Sequence, residues 1–264
     1  MRNIFRRLSA RHRTFLVSCA VVVAAFQVVV CAIVSSIDIG TAVEQILAFA
    51  PPALRPLIEQ SMAGSPQGML AFAWSHPVTQ ALLAAVAITL AARAIAGEVE
   101  HGVIELILAQ PITRLRYFTA HLTFGLAAIT AVTLAGMLGT VAGRQLFSLA
   151  PLSVAHAWRL LVNVVLLQAA IYTATLLVSA FAREAGRAAI AGVMVAVVSY
   201  LIDVIAAMWS KAAFLLPYSL HHYYDPRQIL TQGHLPPGAI PVLAAFVLVT
   251  GGTALLRFQR RDLP

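Results

Sequence analysis

The dominant pattern in the sequence is a series of six apolar segments, separated by segments that carry most of the prolines and charges. About twenty helical residues are enough to cross the hydrocarbon core of a bilayer. The pattern therefore predicts six transmembrane helices, at approximately 15–35, 76–96, 117–141, 159–180, 188–209 and 238–256. The predicted fold is an all-α, polytopic integral membrane protein in which residues 1–264 form a single transmembrane domain.

The composition agrees with a protein whose outer surface faces lipid. Hydrophobic residues make up 60% of the chain and charged residues only 11%, whereas an average soluble domain carries about 25% charged residues. The formal net charge of +8 comes from arginines dispersed around the ends of the apolar segments. Because these arginines do not line one face, they do not indicate a nucleic-acid-binding protein. The predicted partner is the lipid bilayer.

The N-terminal segment carries five arginines within its first thirteen residues, with apolar side chains between them. Such a basic amphipathic segment is suited to lying on the anionic cytoplasmic leaflet of the plasma membrane. A cleaved signal peptide is the alternative, but its apolar core is normally about 7–15 residues long. The apolar run at 15–34 is longer, so we interpret it as a retained first span.

Arginine distribution predicts the orientation of the chain. With the N-terminus inside, thirteen of the 18 basic residues lie in cytoplasmic segments and five lie outside. Short cytoplasmic segments of membrane proteins are enriched in basic residues. We therefore expect both termini, and the segment between the second and third spans, to be cytoplasmic.

The segment 97–114 contains three of the ten acidic residues and is too short and too charged to span a bilayer. At helical spacing, Glu98, Gly102 and Glu105 fall on one face. Pro111 would end the helix, because proline lacks the N–H group and crowds the preceding turn. The segment therefore predicts a short amphipathic cytoplasmic helix between spans two and three.

This helix has two interpretations. Because it is joined directly to two spans, it is mechanically suited to relaying a force from a soluble partner. The alternative is an ordinary interfacial helix whose acidic side chains pair with Arg93 and Arg114.

The sequence does not indicate an enzyme. A P-loop requires the pattern Gly-x-x-x-x-Gly-Lys-Ser/Thr, and the only lysine, Lys211, lies in the sequence Trp-Ser-Lys-Ala. Metalloprotease spacing such as His-Glu-x-x-His is also missing from the sequence. Any energy from ATP would have to come from another chain.

Polar groups within the spans suggest a second class of function. An ion-coupled carrier keeps ionisable groups inside the membrane, and Asn163, Gln168 and Asp203 are the candidates for an intramembrane polar pathway. For Asp203 we favour the other interpretation, an outer-leaflet carboxylate that is hydrogen-bonded to a neighbouring helix. An autonomous carrier or channel, and a membrane scaffold without transport activity, therefore stay open as alternatives.

Metal ligands are not expected in this chain. Weak candidates among the residue types that bind transition metals lie in the loop before the last span, as His221, His222, Asp225 and His234. Histidine and tyrosine in that loop are also typical of membrane interfaces, and we favour this interfacial role.

The segment 97–114 resembles the segment between the second and third spans of ABC-2-type ABC transporter permeases. In that family a Glu, a Gly-Thr-x-Glu-Leu sequence, a Pro and an Arg recur in this order. Val103 replaces the usual Thr, and the matching residues are Glu98, Gly102, Glu105, Leu106, Pro111 and Arg114. The six-span layout, the basic N-terminal segment and an Arg-Arg-Asp-Leu sequence near the end also fit this family.

The resemblance implies a function and partners. The segment would be a coupling helix that docks on a separate cytoplasmic ABC ATPase, with ATP and Mg²⁺ bound by that partner and no cofactor in this chain. A second permease copy or a paralogue would complete an exporter that works by alternating access. The resemblance does not identify the substrate.

Overall fold

The computed structural model describes residues 2–36, 47–51, 55, 66–104 and 112–261. All regular secondary structure in these ranges is helical, which confirms the all-α prediction. The α-helices that lie wholly within these ranges are α1 (Arg2–Ser36), α2 (Pro66–Ser75), α3 (Pro77–Ala94), α4 (Ala96–Glu100), α5 (Arg114–Leu146), α6 (Val154–Phe181), α7 (Ala185–Met208), α8 (Pro226–Gln232) and α9 (Ala239–Gln259), and 3₁₀ turns cover Ser210–Tyr218 and His221–Tyr223.

The six predicted spans are confirmed as helices. In the described residues, six helical stretches are long and apolar enough to cross a membrane: Ile4–Ser36, Leu70–Ala94, Arg114–Leu146, Val154–Phe181, Ala185–Met208 and Ala239–Gln259. Each overlaps one predicted span. The second combines the end of α2 with α3, and the others correspond to α1, α5, α6, α7 and α9.

The centre of the bundle is α6, which packs against α3, α5, α7 and α9. Its sequence is apolar on every side, as expected for a helix surrounded by others, and most of its residues are buried. Helix α1 lies at the edge and packs mainly on α5. Helices α7 and α9 expose large aliphatic side chains, which are suited to contact with lipid.

The N-terminal segment differs from its prediction. Residues 2–36 form one continuous helix of 35 residues rather than a separate surface helix followed by a span. The reason is local, because this stretch contains neither glycine nor proline to interrupt the helix. At 1.5 Å per residue, α1 is about 52 Å long, so it extends well beyond a hydrocarbon core of about 30 Å.

Helices α1 and α5 meet through small residues that bring their backbones together. A Cβ atom added at Gly139 would lie 2.4 Å from the carbonyl oxygen of Ala24, and one added at Gly143 would lie 2.8 Å from the Cβ of Cys31. Close approach of this kind is a common basis of helix association in lipid, where the hydrophobic effect does not favour one helix contact over another.

We expect Gly139→Ala to destabilise the α1–α5 contact by about 1–3 kcal/mol, because the new methyl group would overlap rigid backbone. The measurement is thermal unfolding of the purified protein in detergent, followed by tryptophan fluorescence. Gly252→Ala in α9 is the matched control, since the added Cβ would have no described atom within 4 Å. Equal melting temperatures for the two variants would contradict the close contact.

Candidate coupling site at one end of the bundle

Helices α3 and α4 are almost continuous, with a kink at a single residue. Ile95 has φ −121° and ψ −59°, which interrupts the hydrogen-bond ladder between them. The backbone N–H and carbonyl groups around the kink are hydrogen-bonded by neighbouring side chains. The Tyr117 hydroxyl donates to the Ala94 carbonyl at 2.7 Å. Ser179 Oγ accepts from Ala96 N at 2.9 Å and donates to the Ala92 carbonyl at 3.1 Å.

Glu98 of α4 is buried, with only 2% of its surface exposed. Its carboxylate binds two arginines of α1. Arg7 Nη2 lies 3.0 Å from Oε2, and Arg11 Nη1 donates to Oε1. Because Arg7 and Arg11 are four residues apart, they project from the same face of α1.

The two arginines supply the ion pairs and hydrogen bonds that a buried carboxylate requires. An isolated carboxylate removed from water is strongly destabilised unless it is paired and hydrogen-bonded. The two arginine side chains keep 47% and 35% of their surface exposed, so most of the desolvation falls on Glu98. Among the described residues its ion-pair partners are therefore in α1, and the alternative pairing with Arg93 or Arg114 is wrong for Glu98.

Helix α4 also contacts the start of α7. The Glu100 carboxylate accepts a hydrogen bond from Ala185 N at 2.9 Å. This N–H is one of those that have no partner inside α7, and a carboxylate there also complements the helix dipole. A Cβ added at Gly97 would lie 3.6 Å from the Cβ of Ala185, so the two backbones are close. Helix α4 therefore contacts α1, α3 and α7 through defined residues.

Helix α4 is shorter than predicted. It ends at Glu100, and Gly102 takes a left-handed conformation with φ +66°. His101 N donates to the Gly97 carbonyl and Gly102 N to the Val99 carbonyl, which closes the helix end. Because of this turn, the predicted continuous helical face through Glu98 and Gly102 is wrong.

Part of the predicted motif cannot be placed. Glu105, Leu106 and Pro111 lie outside the described residues. Of the residues that can be placed at this end of α4, Glu100, His101 and Gly102 are exposed, whereas Ile104 is buried.

Arg114, the last residue of the predicted motif, binds the end of α9. Its Nη1 donates to the carbonyl oxygens of Phe258, Gln259 and Arg261, at 3.2, 2.9 and 2.6 Å. Arg261 in turn donates to carbonyls at the end of α6, including that of Ala180 at 3.0 Å. These arginines bind the unpaired C-terminal carbonyls of two spans, which carry partial negative charge.

The predicted intramembrane pathway residues have separate partners. Asn163 Nδ2 donates to the Tyr223 carbonyl at 2.8 Å, and Gln168 Nε2 donates to Gln80 Oε1 at 3.0 Å. Asp203 is half-buried in α7 and interacts electrostatically with His222 and Asp225. In the described part of the chain, no hydrogen bond joins any two of Asn163, Gln168 and Asp203.

The loop before the last span uses its candidate metal ligands for other contacts. His221 Nδ1 lies 2.8 Å from Ser199 Oγ, and Asp225 Oδ1 accepts from Gln228 N at the start of α8. The ring of His222 lies edge-on against Tyr223. Across the described ranges, which include His234, no three His, Cys, Asp or Glu side chains come together as a metal site.

Comparison with protein families assigns the chain. The model of the family described as ABC-2 family transporter protein matches residues 7–263. The chain belongs to this family. With its six apolar helices, it is a multi-pass membrane protein of the ABC transporter permease class. Comparison with curated proteins gives no match.

Several residues that hold α4 in place are not among those predicted from the sequence of this ABC-2 family protein. Arg7, Arg11, Tyr117 and Ser179 bind groups of α3 or α4 from helices distant in sequence. One signal was available for the arginines: their four-residue spacing places both on one face of a helix predicted to lie at the same end as Glu98. The Tyr117 and Ser179 contacts carry no such sequence signal.

Glu98→Gln should lower the free energy of unfolding by about 1–3 kcal/mol, a value between those of exposed and fully buried ion pairs. Unfolding in mixed micelles with increasing SDS measures this change. The matched control is Glu184→Gln, which removes the carboxylate of the exposed Arg187–Glu184 pair and should cost at most about 1 kcal/mol.

A double-mutant cycle tests the assigned partners. In a chain that already carries Arg7→Gln and Arg11→Gln, Glu98→Gln should lower the free energy of unfolding much less than in the native chain. The reason is that the free-energy effects of mutations at contacting residues do not add. Full additivity would contradict the pairing.

Proposed function

We propose that this chain is the membrane subunit of an ATP-driven ABC-2 exporter, and that the segment beginning at α4 receives the movement of a separate cytoplasmic ATPase. The observation that carries this proposal is the position of α4. It follows α3 after a one-residue kink at Ile95. It is also bound to α1 through Glu98 and to α7 through Glu100. A displacement of α4 would therefore act on three spans.

The location of this segment supports a cytoplasmic partner. Both described ends of the chain lie at the α4 end of the bundle, since Arg7 contacts Glu98 and Arg114 contacts the carbonyl of Arg261. The arginine bias of the sequence supports a cytoplasmic location for this end. Both termini and the coupling segment would then face the compartment that supplies ATP.

The individual residues have different proposed roles. Glu100, His101 and Gly102 are exposed, and they would form part of the surface available to an ATPase. Buried Glu98 would act indirectly, by holding α4 against α1. Glu105, Leu106 and Pro111 keep the docking role that the family resemblance implies.

The partner would supply the chemistry. ATP and Mg²⁺ would be bound by the ATPase, whereas this chain would respond to the opening and closing of the ATPase pair. A second permease copy or a paralogue, in the same plasma membrane, would complete the transporter. Movement of α4 would be passed to α3 and α7, and alternating access would follow from the relative displacement of these helices.

Gly102→Val should reduce stimulation of the partner's ATPase activity several-fold while the six spans stay folded. No described atom lies within 4 Å of the added Cβ, so the effect would come from the left-handed backbone, which disfavours a β-branched residue. Gly102→Asn is the matched control, because asparagine tolerates this conformation. Glu105→Ala should also reduce stimulation if it docks on the partner.

The assay is purification of the tagged chain from its native membrane in mild detergent, with mass spectrometry and ATPase measurement. We expect a stoichiometric cytoplasmic ATPase that contains a P-loop. A chain that purifies alone, and that transports with an ion gradient until Asp203→Asn is introduced, would instead establish the autonomous carrier. Equal ATPase stimulation in all variants would contradict the role of the α4 segment.

A further inference from the structure

A cavity of about 490 Å³ lies between α3, α6 and α7. Pockets for small molecules generally have volumes of about 300–1,000 Å³. Along α3 the cavity extends from Pro77 to Thr89, which corresponds to about 18 Å of helix. Val193 and Val197 of α7 line it and are exposed, so the cavity can be entered from outside the bundle.

Most of the cavity wall is apolar. The wall is made of small and branched aliphatic residues from the facing surfaces of two spans: Ala84, Ala85 and Ile88 of α3, and Val193, Ala196 and Val197 of α7. Thr89 adds one hydroxyl at the α3 end away from Gln80, and an extended apolar group would fit the rest of this wall.

The end of the cavity nearest the loop before the last span is polar. His221 and Tyr200 line it there, with their rings edge-to-face and 5.6 Å between centroids. His221 is held by Ser199, whose Oγ lies 2.8 Å from Nδ1 and accepts from the His221 backbone N at 3.1 Å. The imidazole Nε2 and the Tyr200 hydroxyl have no hydrogen-bond partner in the described residues.

The third polar residue at this end, Gln80, already has a protein partner for both its amide nitrogen and its amide oxygen. Gln80 donates to the Trp74 carbonyl at 2.8 Å and accepts from Gln168 at 3.0 Å. It closes the cavity rather than offering a free group. Hydrogen bonding to a ligand at this end therefore depends on His221 and Tyr200.

The cavity offers no countercharge. None of the described residues that line it is Lys, Arg, Asp or Glu, and burial lowers the pKa of His221 to about 4, so its imidazole is neutral near pH 7. Asp203, one turn beyond Tyr200, does not line the cavity, and it interacts electrostatically with Tyr200 as well as with His222 and Asp225. A charged group placed in the cavity would lose its hydration without gaining an oppositely charged partner among the lining residues.

We propose that this cavity binds a small amphiphile, with an uncharged hydrogen-bonding head at His221 and Tyr200 and an apolar body between α3 and α7. The binding follows from the cavity itself. Only the further statement that the bound amphiphile is transported cargo rests on the proposed exporter function.

Photolabelling of the full chain alone in lipid nanodiscs tests the binding without any ATPase. The probe is a long-chain alcohol with a diazirine in its chain, compared with the carboxylic acid and the primary amine of equal length. We expect the alcohol to label the α3 and α7 walls more strongly than either charged probe. It should also label them more strongly than Val249, an exposed residue of α9.

Two pairs of variants locate the head and the body. His221→Leu should lower labelling by the alcohol about fivefold, the ratio expected for one lost hydrogen bond between uncharged groups, and His221→Gln should restore much of it. Ala85→Phe should block the apolar wall and abolish labelling there. Its matched control is Ala245→Phe, on the exposed surface of α9, which should leave labelling of the cavity unchanged.

Three results would overturn the proposal. Equal labelling of the cavity and of Val249 would indicate ordinary lipid contact. Equal labelling by the alcohol and the charged probes would contradict an uncharged head. A cavity that no probe labels, in either the native chain or the His221 variants, would mean that another surface such as a second copy of this chain covers it. Failure to find a partner ATPase would not affect this result, because the labelling is measured on the chain alone.

Discussion

The burial of one carboxylate constrains the whole α4 end of the bundle. Glu98 is accessible over only 2% of its surface, and its charge is compensated by Arg7 and Arg11. A charge in this position is stable only while α1 stays beside α4. The length of α1 beyond the hydrocarbon core is explained in the same way, since it carries these two arginines to the carboxylate.

The same end of the bundle satisfies the backbone groups that the membrane leaves without water. Every helix end has carbonyl or N–H groups without helical partners, and an unpaired group of this kind is costly near lipid. Arg114, Arg261, Tyr117 and Ser179 bind such groups on α9, α6 and α3. These long-range contacts turn several separate helix ends into one connected surface around α4.

The spans could be predicted from the sequence because lipid imposes a length and a polarity that local composition must meet. The absence of glycine and proline before Phe15 could also have indicated the long α1, but its basic residues favoured a surface segment instead.

The partners of Glu98 lie 91 and 87 residues away, and no spacing rule relates such positions. Helical periodicity also places Gly102 on the face of Glu98, whereas glycine can equally adopt the left-handed turn that ends α4. The family motif drew attention to this region, and its docking role stays a prediction.

The backbone contact between α1 and α5 has a consequence for biogenesis. During synthesis α1 enters the membrane before its main packing partner, α5, which corresponds to the third predicted span. Between these events α1 is surrounded by lipid, and Ala24 is without the glycine surface against which it packs at Gly139. Apolar side chains such as Val17 and Val21, still exposed in the finished bundle, keep the helix stable in lipid meanwhile. A defect in this contact would therefore first be seen in the yield of assembled protein, before any transport cycle begins.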